Sequence, residues 1–352
     1  MWAMHLDQFP RVKLCHRPTP LERMERLSEH LGGPQLFVKR DDCTGLAVGG
    51  NKTRKLEFLM AEAIEQGANT VVTIGGVQSN HCRQTTAAAA KLGLKCELVL
   101  PHLSRYCSES YETGGNLFLD RLLGAEVHIA ADVEAAAIVS RDVMSQIRKR
   151  GDVPFFIPAG GSTATGALGY VDAAWELARQ AAEQQLRVDH LVITTGSCTT
   201  HAGLIVGFES IAQSEAFDCD PSVIGISVYH PREKALATVR QKVRETAQLV
   251  GLEADLDDQV LVRDDYLGSG YGEPTDAMIE AVTLAARYEG LLLDPVYTGK
   301  TFSGLVDLVR QGFFDSSENV LFWHTGGTPA LFVYRDAFEP SPAPDEPAER
   351  FA

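Results

Sequence analysis

Thr73-Ile74-Gly75-Gly76-Val77-Gln78-Ser79-Asn80-His81 is the stretch on which the architecture turns. The apolar run 70–74 has strand length, the glycine pair interrupts it, and an alanine-rich helical pattern follows. The same hand-over recurs at Thr194-Thr195-Gly196-Ser197-Cys198-Thr199-Thr200-His201-Ala202-Gly203 and at Trp323-His324-Thr325-Gly326-Gly327-Thr328-Pro329. Working outward, strands are predicted at 36–38, 70–74, 96–100, 126–129, 154–158, 190–194, 223–228, 291–294 and 320–324. Between them, apolar residues recur at helical spacing, as at Leu56, Met60, Ala63 and Ile64. Strand and helix alternating over this length predict an α/β fold with mostly parallel sheets. In such folds ligands collect at the carboxyl ends of the strands, which makes the three junctions candidate site loops.

Composition narrows the function. With 352 residues, 45% of them hydrophobic, the chain can bury a large core, and two lobes are expected. A formal net charge of −15 argues against a nucleic-acid partner, because a phosphate backbone would be repelled. Seven cysteines (15, 43, 82, 96, 107, 198 and 219) are odd in number and form no Cys-x-x-Cys pair. That pattern predicts neither a disulfide framework nor a metal cluster, and suits a reducing cytoplasm. The start, Met-Trp-Ala-Met-His-Leu-Asp, lacks a signal-peptide core, and no apolar run reaches the ~20 residues of a membrane span. No membrane contact and a cytoplasmic location are therefore expected. The tail from Glu339, Glu-Pro-Ser-Pro-Ala-Pro-Asp-Glu-Pro, is too polar to order itself by burial.

Lys52 follows Gly49-Gly50-Asn51 and precedes the amphipathic pattern Thr53-Arg54-Lys55-Leu56-Glu57-Phe58. Glycines let backbone approach a bulky ligand, and a desolvated lysine acts as an amine nucleophile. Lys52 is thus a candidate Schiff-base lysine, the alternative being a loop lysine beside a helix start. Gly196, Ser197, Cys198, Thr199 and Thr200 offer hydroxyls and backbone N–H groups at a helix N-terminus, where a phosphate is favoured. Ordinary capping by Thr199 or Thr200 is the competing reading. Neither a P-loop nor a dinucleotide fingerprint is present, so the phosphate is not a nucleotide's. Ser79, Asn80 and His81 open another helix, suited to a substrate carboxylate or, through His81, to proton transfer; a structural histidine is the alternative. Tyr271 and Tyr297 sit in turns among glycines and prolines, either packing the loops or meeting a ligand. An amine nucleophile, a non-nucleotide phosphate site, a carboxylate site and phenols together point to pyridoxal phosphate acting on an amino acid.

Several longer motifs carry a family resemblance. Arg17-Pro18-Thr19-Pro20-Leu21, Lys39-Arg40-Asp41-Asp42, Gly49 to Phe58, Gln78-Ser79-Asn80-His81-x-Arg83-Gln84, Asp294-Pro295-Val296-Tyr297-x-Gly299-Lys300 and His324-Thr325-Gly326-Gly327 resemble the 1-aminocyclopropane-1-carboxylate deaminase/D-cysteine desulfhydrase family. The matches run from about residue 9 to about residue 334. The resemblance implies the fold-type-II pyridoxal-phosphate architecture, similar to the tryptophan synthase β subunit, with two open twisted mostly parallel sheets, flanking helices and a homodimer. It implies a smaller substrate-side domain over 53–160, a larger cofactor-binding domain from 1–52 plus 161–338, and a flexible tail over 339–352.

Carried over residue by residue, the resemblance makes Lys52 the cofactor lysine and turns Asn80 toward the pyridine ring. Gly196, Ser197, Cys198, Thr199 and Thr200 hold the phosphate, although relatives usually have a smaller residue where Thr199 stands. Gln78, Ser79 and His81 take the substrate carboxylate or assist proton transfer. Tyr271 and Tyr297 flank the substrate, and Thr298 and Thr325 join the cofactor site. The ring-opening deaminases carry a glutamate where Thr298 stands; a carboxylate there keeps the pyridine nitrogen protonated, whereas threonine offers only a neutral hydrogen bond. This favours β-elimination over ring opening. Residues 39–46 and 51–55 look most like L-cysteate sulfo-lyases, which release sulfite, pyruvate and ammonia; D-cysteine desulfhydrases, releasing sulfide, share most of them. Gly160-Gly161-Ser162-Thr163 departs from the sulfo-lyase pattern, where asparagine commonly follows the serine. Tyr106, Cys107 and Thr163 lie in segments suited to shape the β-substituent pocket. A ring-opening deaminase, an amino-acid racemase and a non-catalytic sensor are the remaining alternatives.

Overall fold

The structure, a computed structural model, describes residues 6–106 and 108–339. Cys107 and the tail beyond Glu339 lie outside the described residues. The strands are β1 (Leu21–Arg23), β2 (Gln35–Arg40), β3 (Thr70–Ile74), β4 (Lys95–Pro101), β5 (Glu126–Ala130), β6 (Pro154–Ile157), β7 (His190–Thr195), β8 (Ser222–Ser227), β9 (Leu261–Arg263) and β10 (Asn319–His324). They form a six-stranded sheet, β1-β2-β10-β7-β8-β9, and a four-stranded sheet, β5-β4-β3-β6. Every pairing is parallel except β1 with β2. Runs such as Leu191, Val192 and Ile193 are fully buried, as strands covered by helices on both faces must be.

Two features depart from the sequence reading. The predicted strand at 291–294 is irregular chain: Leu291 and Leu293 are buried in the core, but the segment pairs with no strand. Its last residue, Asp294, instead accepts the backbone N–H groups of Val296, Tyr297 and Thr298 and so opens the Thr298–Arg310 helix. Conversely β1 and β9, three residues each at the two edges of the larger sheet, are too short to show a period in sequence.

A buried cluster of charges ties the elements around the larger sheet. Arg54, on the Lys52–Glu65 helix, donates to both Asp41 oxygens at 2.8 and 3.0 Å and to both Glu176 oxygens at 2.8 and 3.0 Å. Lys39 of β2 adds bonds of 2.7 Å to Glu176 and to the Thr19 carbonyl. Asp41 also accepts from the Tyr170 hydroxyl at 2.5 Å and the Trp323 indole at 2.9 Å. Burial alone would raise the Glu176 carboxyl; Arg54 and Lys39 hold it below the usual range. Two cations thus meet two carboxylates with nearly every donor and acceptor used, the condition under which buried charge is tolerated. The neighbouring Ala164–Glu183 helix comes close enough to take part because Gly169 has no side chain: a Cβ there would stand 2.4 Å from the Arg54 carbonyl. Arg54→Met leaves the two carboxylates with Lys39 alone, so a loss of about 3–5 kcal/mol is expected, read as a lower denaturant midpoint at unchanged slope.

Candidate functional site

All three junctions converge on one cavity of about 310 Å³ at the carboxyl ends of the strands. The chain after β3 contributes Gly75, Gly76, Ser79, Asn80 and His81; that after β6 contributes Ala159, Gly160 and Ser162. Gly196, Ser197, Cys198 and Thr200 enter after β7, and Thr325 after β10. Asn51, Lys52, Leu103, Tyr229, His230, Tyr271 and Tyr297 complete most of the wall. Among the described residues no aspartate or glutamate lines it.

Lys52 is the first residue of its helix, with Nζ 3.4 Å from the Ser197 hydroxyl. It meets the cavity but lies deep in the protein, and this burial lowers its pKa to about 8. Lys55, one helical turn on, also reaches the cavity wall, 3.3 Å from the Gly160 carbonyl and 3.5 Å from the Ser197 hydroxyl. Its ammonium is pushed well down, first by burial and then by Lys52. Two lysines so placed, neither paired with a carboxylate among the described residues, make an anion site. Lys55 was not among the predicted site residues, although its i, i+3 spacing from Lys52 was the signal for it.

The glycine pair, expected to admit a ligand, does not line the cavity. Gly49 and Gly50 make room for the protein itself, not for a ligand. With φ of +69°, Gly49 lies so close to the Asp42 carbonyl that a Cβ would stand 1.9 Å from it, and a Cβ on Gly50 would meet the Gln84 amide at 2.5 Å. They fold the turn that delivers Lys52.

At the first junction Ser79 caps the Asn80–Leu92 helix, accepting from the Cys82 N–H, and keeps its own proton to donate. The Asn80 oxygen accepts from Arg83 at 3.0 Å and Asn116 at 2.9 Å, which leaves its amide N–H groups to face the cavity. Arg83 also holds the Gly49 carbonyl at 2.6 Å, linking this helix to the lysine turn. Arg83 and Asn116 are positioning residues outside the predicted site. The structure does not bring Gln78 to the cavity: its amide donates to the carbonyls of Tyr111 and Gly114 and accepts from the Asn116 N–H. Thr73 donates to the Ile157 carbonyl, so the 2.8 Å contact with His81 requires a proton on His81 Nε2. Burial, then Lys52 and Lys55, push the His81 pKa well down and keep the ring neutral.

At the second junction Cys198 adopts a left-handed conformation (φ +65°) and no side chain caps the Thr199–Ser214 helix; the Thr199 N–H is spent on the Ser197 carbonyl at 2.8 Å, while those of Thr200 and His201 stay open. Thr199 does not line the cavity. Its hydroxyl lies against Ser162 (2.5 Å) and the Ser197 carbonyl (3.2 Å), so a residue larger than glycine is accommodated behind the loop. Thr200 faces the cavity and accepts from the Asn51 amide at 3.1 Å.

The Tyr271 and Tyr297 hydroxyls share a short hydrogen bond. Burial raises both phenols well above their ordinary range, so both carry their protons at neutral pH. Thr298 is fully buried behind them; its hydroxyl donates to Asp294 at 2.7 Å and does not reach the cavity. Thr325 does reach it. Of the segments expected to shape the β-substituent pocket, Tyr106 stacks on Tyr334 and Thr163 caps its own helix, while the adjacent Ser162 faces the cavity.

An amine at a cavity wall, an uncapped helix start beside a second buried lysine, and a carboxamide presenting N–H groups form a donor set that fits a phosphorylated aldehyde. The family described as pyridoxal-phosphate dependent enzyme matches residues 12–326. The chain is 44% identical to a 1-aminocyclopropane-1-carboxylate deaminase of Burkholderia ambifaria, over 95% of this chain and 99% of that protein. It is 43% identical to a D-cysteine desulfhydrase of Salmonella schwarzengrund, over 94% of this chain and 98% of that protein. A crystal structure of an ACC deaminase homologue, 36% identical, superposes with a TM-score of 0.84 over 96% of this chain and 98% of its own. The chain belongs to the pyridoxal-phosphate-dependent enzymes, in the branch that holds these deaminases and desulfhydrases. Its fold is type II and its cofactor is pyridoxal phosphate.

No helix among the described residues is long and apolar enough to cross a membrane. The lysine chemistry has a pH signature. Only the free amine attacks an aldehyde, and the Lys52 pKa lies at about 8. Cofactor capture by the apoprotein is expected to quicken as pH rises through 8 and to level off above it. Stopped-flow absorbance on either side of pH 8 checks this, and a midpoint near the ordinary lysine value of 10.5 would contradict it.

Proposed function

We propose that this enzyme is a deaminating carbon–sulfur lyase that performs β-elimination on a cysteine-type amino acid. With one water the substrate gives pyruvate, ammonia and the sulfur substituent. The observation that carries this reading is a cavity wall to which no described residue contributes a carboxylate. The cofactor, when bound, supplies an electron sink for the bond broken at Cα. A carboxylate at the ring nitrogen would deepen that sink for carbon–carbon cleavage. Here Asp294, four residues before the helix residue Thr298, is fully buried and accepts four hydrogen bonds from its own helix start. A shallower sink suffices when Cα–H removal is coupled to departure of a good leaving group, and a wall without negative charge tolerates an anionic one.

In this reading Lys55, Thr200 and the uncapped helix start at 199 hold the phosphate, and Asn80 donates to the ring substituent. Ser79 and the Asn80–Leu92 helix start hold the substrate carboxylate. The Lys52 amine, free to titrate near neutrality, takes the Cα proton. The Tyr271–Tyr297 pair, kept protonated by burial, donates to the departing sulfur. His81 orients the neighbouring backbone through Thr73 and carries no proton to the substrate. The 53–160 lobe, a homodimer and a cytoplasmic location belong to the same reading.

Two leaving groups compete. The sulfite reading rested on residues 39–46 and 51–55. Of these, Lys39, Asp41 and Arg54 belong to the buried charge cluster, and only Asn51 and Lys52 line the cavity. Such scaffold residues carry no information about a β-substituent, so sulfide release from D-cysteine, the reaction named for the Salmonella relative, becomes the first reading and L-cysteate the second.

Incubation with D-cysteine, L-cysteate and 1-aminocyclopropane-1-carboxylate, assaying sulfide, sulfite and keto acids in parallel, decides among them. Pyruvate with sulfide is expected; α-ketobutyrate from the cyclopropane substrate, or an inverted amino acid, would overturn elimination. Lys52→Ala should remove both the visible absorbance of bound cofactor and all turnover, and retained turnover would falsify the assignment.

A further inference from the structure

Lys300 is fully buried and forms no ion pair with a described residue. Its Nζ donates to the Leu267 carbonyl at 2.7 Å and the Gly270 carbonyl at 2.8 Å. These carbonyls bracket the turn that ends at Tyr271. Lys300 also stands three residues after Tyr297, within the first turn of the Thr298–Arg310 helix. One rigid helical turn therefore carries one phenol directly and grips the loop that carries the other.

The rest of the loop is held from outside. The Tyr334 hydroxyl donates to the Gly272 carbonyl at 2.8 Å. Glu273 accepts from the Ser104 hydroxyl at 3.0 Å and from the N–H groups of Arg105 and Tyr106 at 2.7 and 3.0 Å. Those contacts fix the end after Tyr271; on the near side the Lys300 ammonium makes the shorter bond to the carbonyl next to the phenol, which also accepts the Glu273 N–H at 3.4 Å. A buried ammonium is costly unless its donors are used, and here two of them are spent on this one turn. Burial also lowers the Lys300 pKa to about 8.

We infer that Lys300 is a positioning residue for the reaction, setting the Tyr271 phenol against the Tyr297 phenol by gripping the carbonyls of Leu267 and Gly270. This rests on reading the phenol pair as the proton donor to the leaving group. Lys300 itself does not line the cavity, so losing the grip frees the turn while leaving Lys52 and the residues 196–200 in place. Cofactor loading is then retained, while the donor is displaced from its working geometry.

The test compares wild-type holoenzyme with Lys300→Met by hydrogen–deuterium exchange over 267–273 and by kinetics on the substrate that is turned over. Exchange in the loop is expected to quicken about tenfold, the scale of one lost charge-assisted hydrogen bond. kcat should fall about tenfold to a hundredfold, with KM and the cofactor absorbance little changed. Lys300→Met and Tyr271→Phe should be strongly non-additive, because both act through one phenol. Unchanged exchange in the loop, or losses in kcat that simply multiply, overturns the proposal. Wild-type turnover by Tyr271→Phe alone removes the donor reading beneath it, and the exchange result separates that failure from failure of the grip. Should Lys300→Met not fold, Lys300→Gln, which keeps an amide donor, is measured in its place, with intermediate loop exchange expected and wild-type exchange overturning the grip.

Discussion

The closed pairing of Arg54 with Asp41 and Glu176 is the constraint from which the rest of the site follows. Lys52, Arg54, Lys55 and Glu57 lie within six residues of one helix and all are drawn into the protein. Successive helical residues turn by about 100°, so Arg54 stands about 200° from Lys52, on the opposite face. Arg54 meets carboxylates, and Glu57 on the same side takes Arg11 and the N–H groups of Leu14 and Cys15. The helix cannot rotate without stranding those charges. Lys52 is consequently held at the cavity and Lys55 against its wall residues Gly160 and Ser197, with no carboxylate among the described residues to neutralise them.

That asymmetry gives the site its chemistry. Arg54 and Lys39 are matched with Asp41 and Glu176, while Lys52 and Lys55 meet no carboxylate among the described residues and have their pKa values lowered by burial. The phenols that share the cavity behave oppositely: burial holds their protons on. A titratable amine and two protonated phenols thus line one cavity, with Asn80 locked between Arg83 and Asn116, an arrangement that suits the proposed elimination.

Motifs legible in the sequence proved to be of two kinds. Lys39-Arg40-Asp41-Asp42 and the glycines before Lys52 mark family membership strongly, yet they serve the scaffold: the first through the charge cluster, the second through the approach of Gly49 to the Asp42 carbonyl. Gln78 and Thr298 are similar cases. Each sits beside residues that face the cavity, and each spends its side chain on internal partners. Adjacency in sequence says which loop a residue belongs to, not which way its side chain turns. Lys55, Arg83, Asn116 and Lys300 show the converse, being site-building residues whose partners lie tens or hundreds of positions away.

The sequence by itself determined the α/β class, the three strand-to-helix junctions and the place of Lys52 at a helix start, because each rests on local period and local turn chemistry. It also misread 291–294 as a strand, since an apolar run has the same composition whether or not a neighbouring strand pairs with it. Only the tertiary structure decided that the junctions share one cavity, that Lys55 reaches the wall beside Lys52, that no carboxylate among the described residues lines the wall and that the two phenols form a pair. Those are facts about distance between remote segments, and distance is settled by packing and by where buried charges find partners.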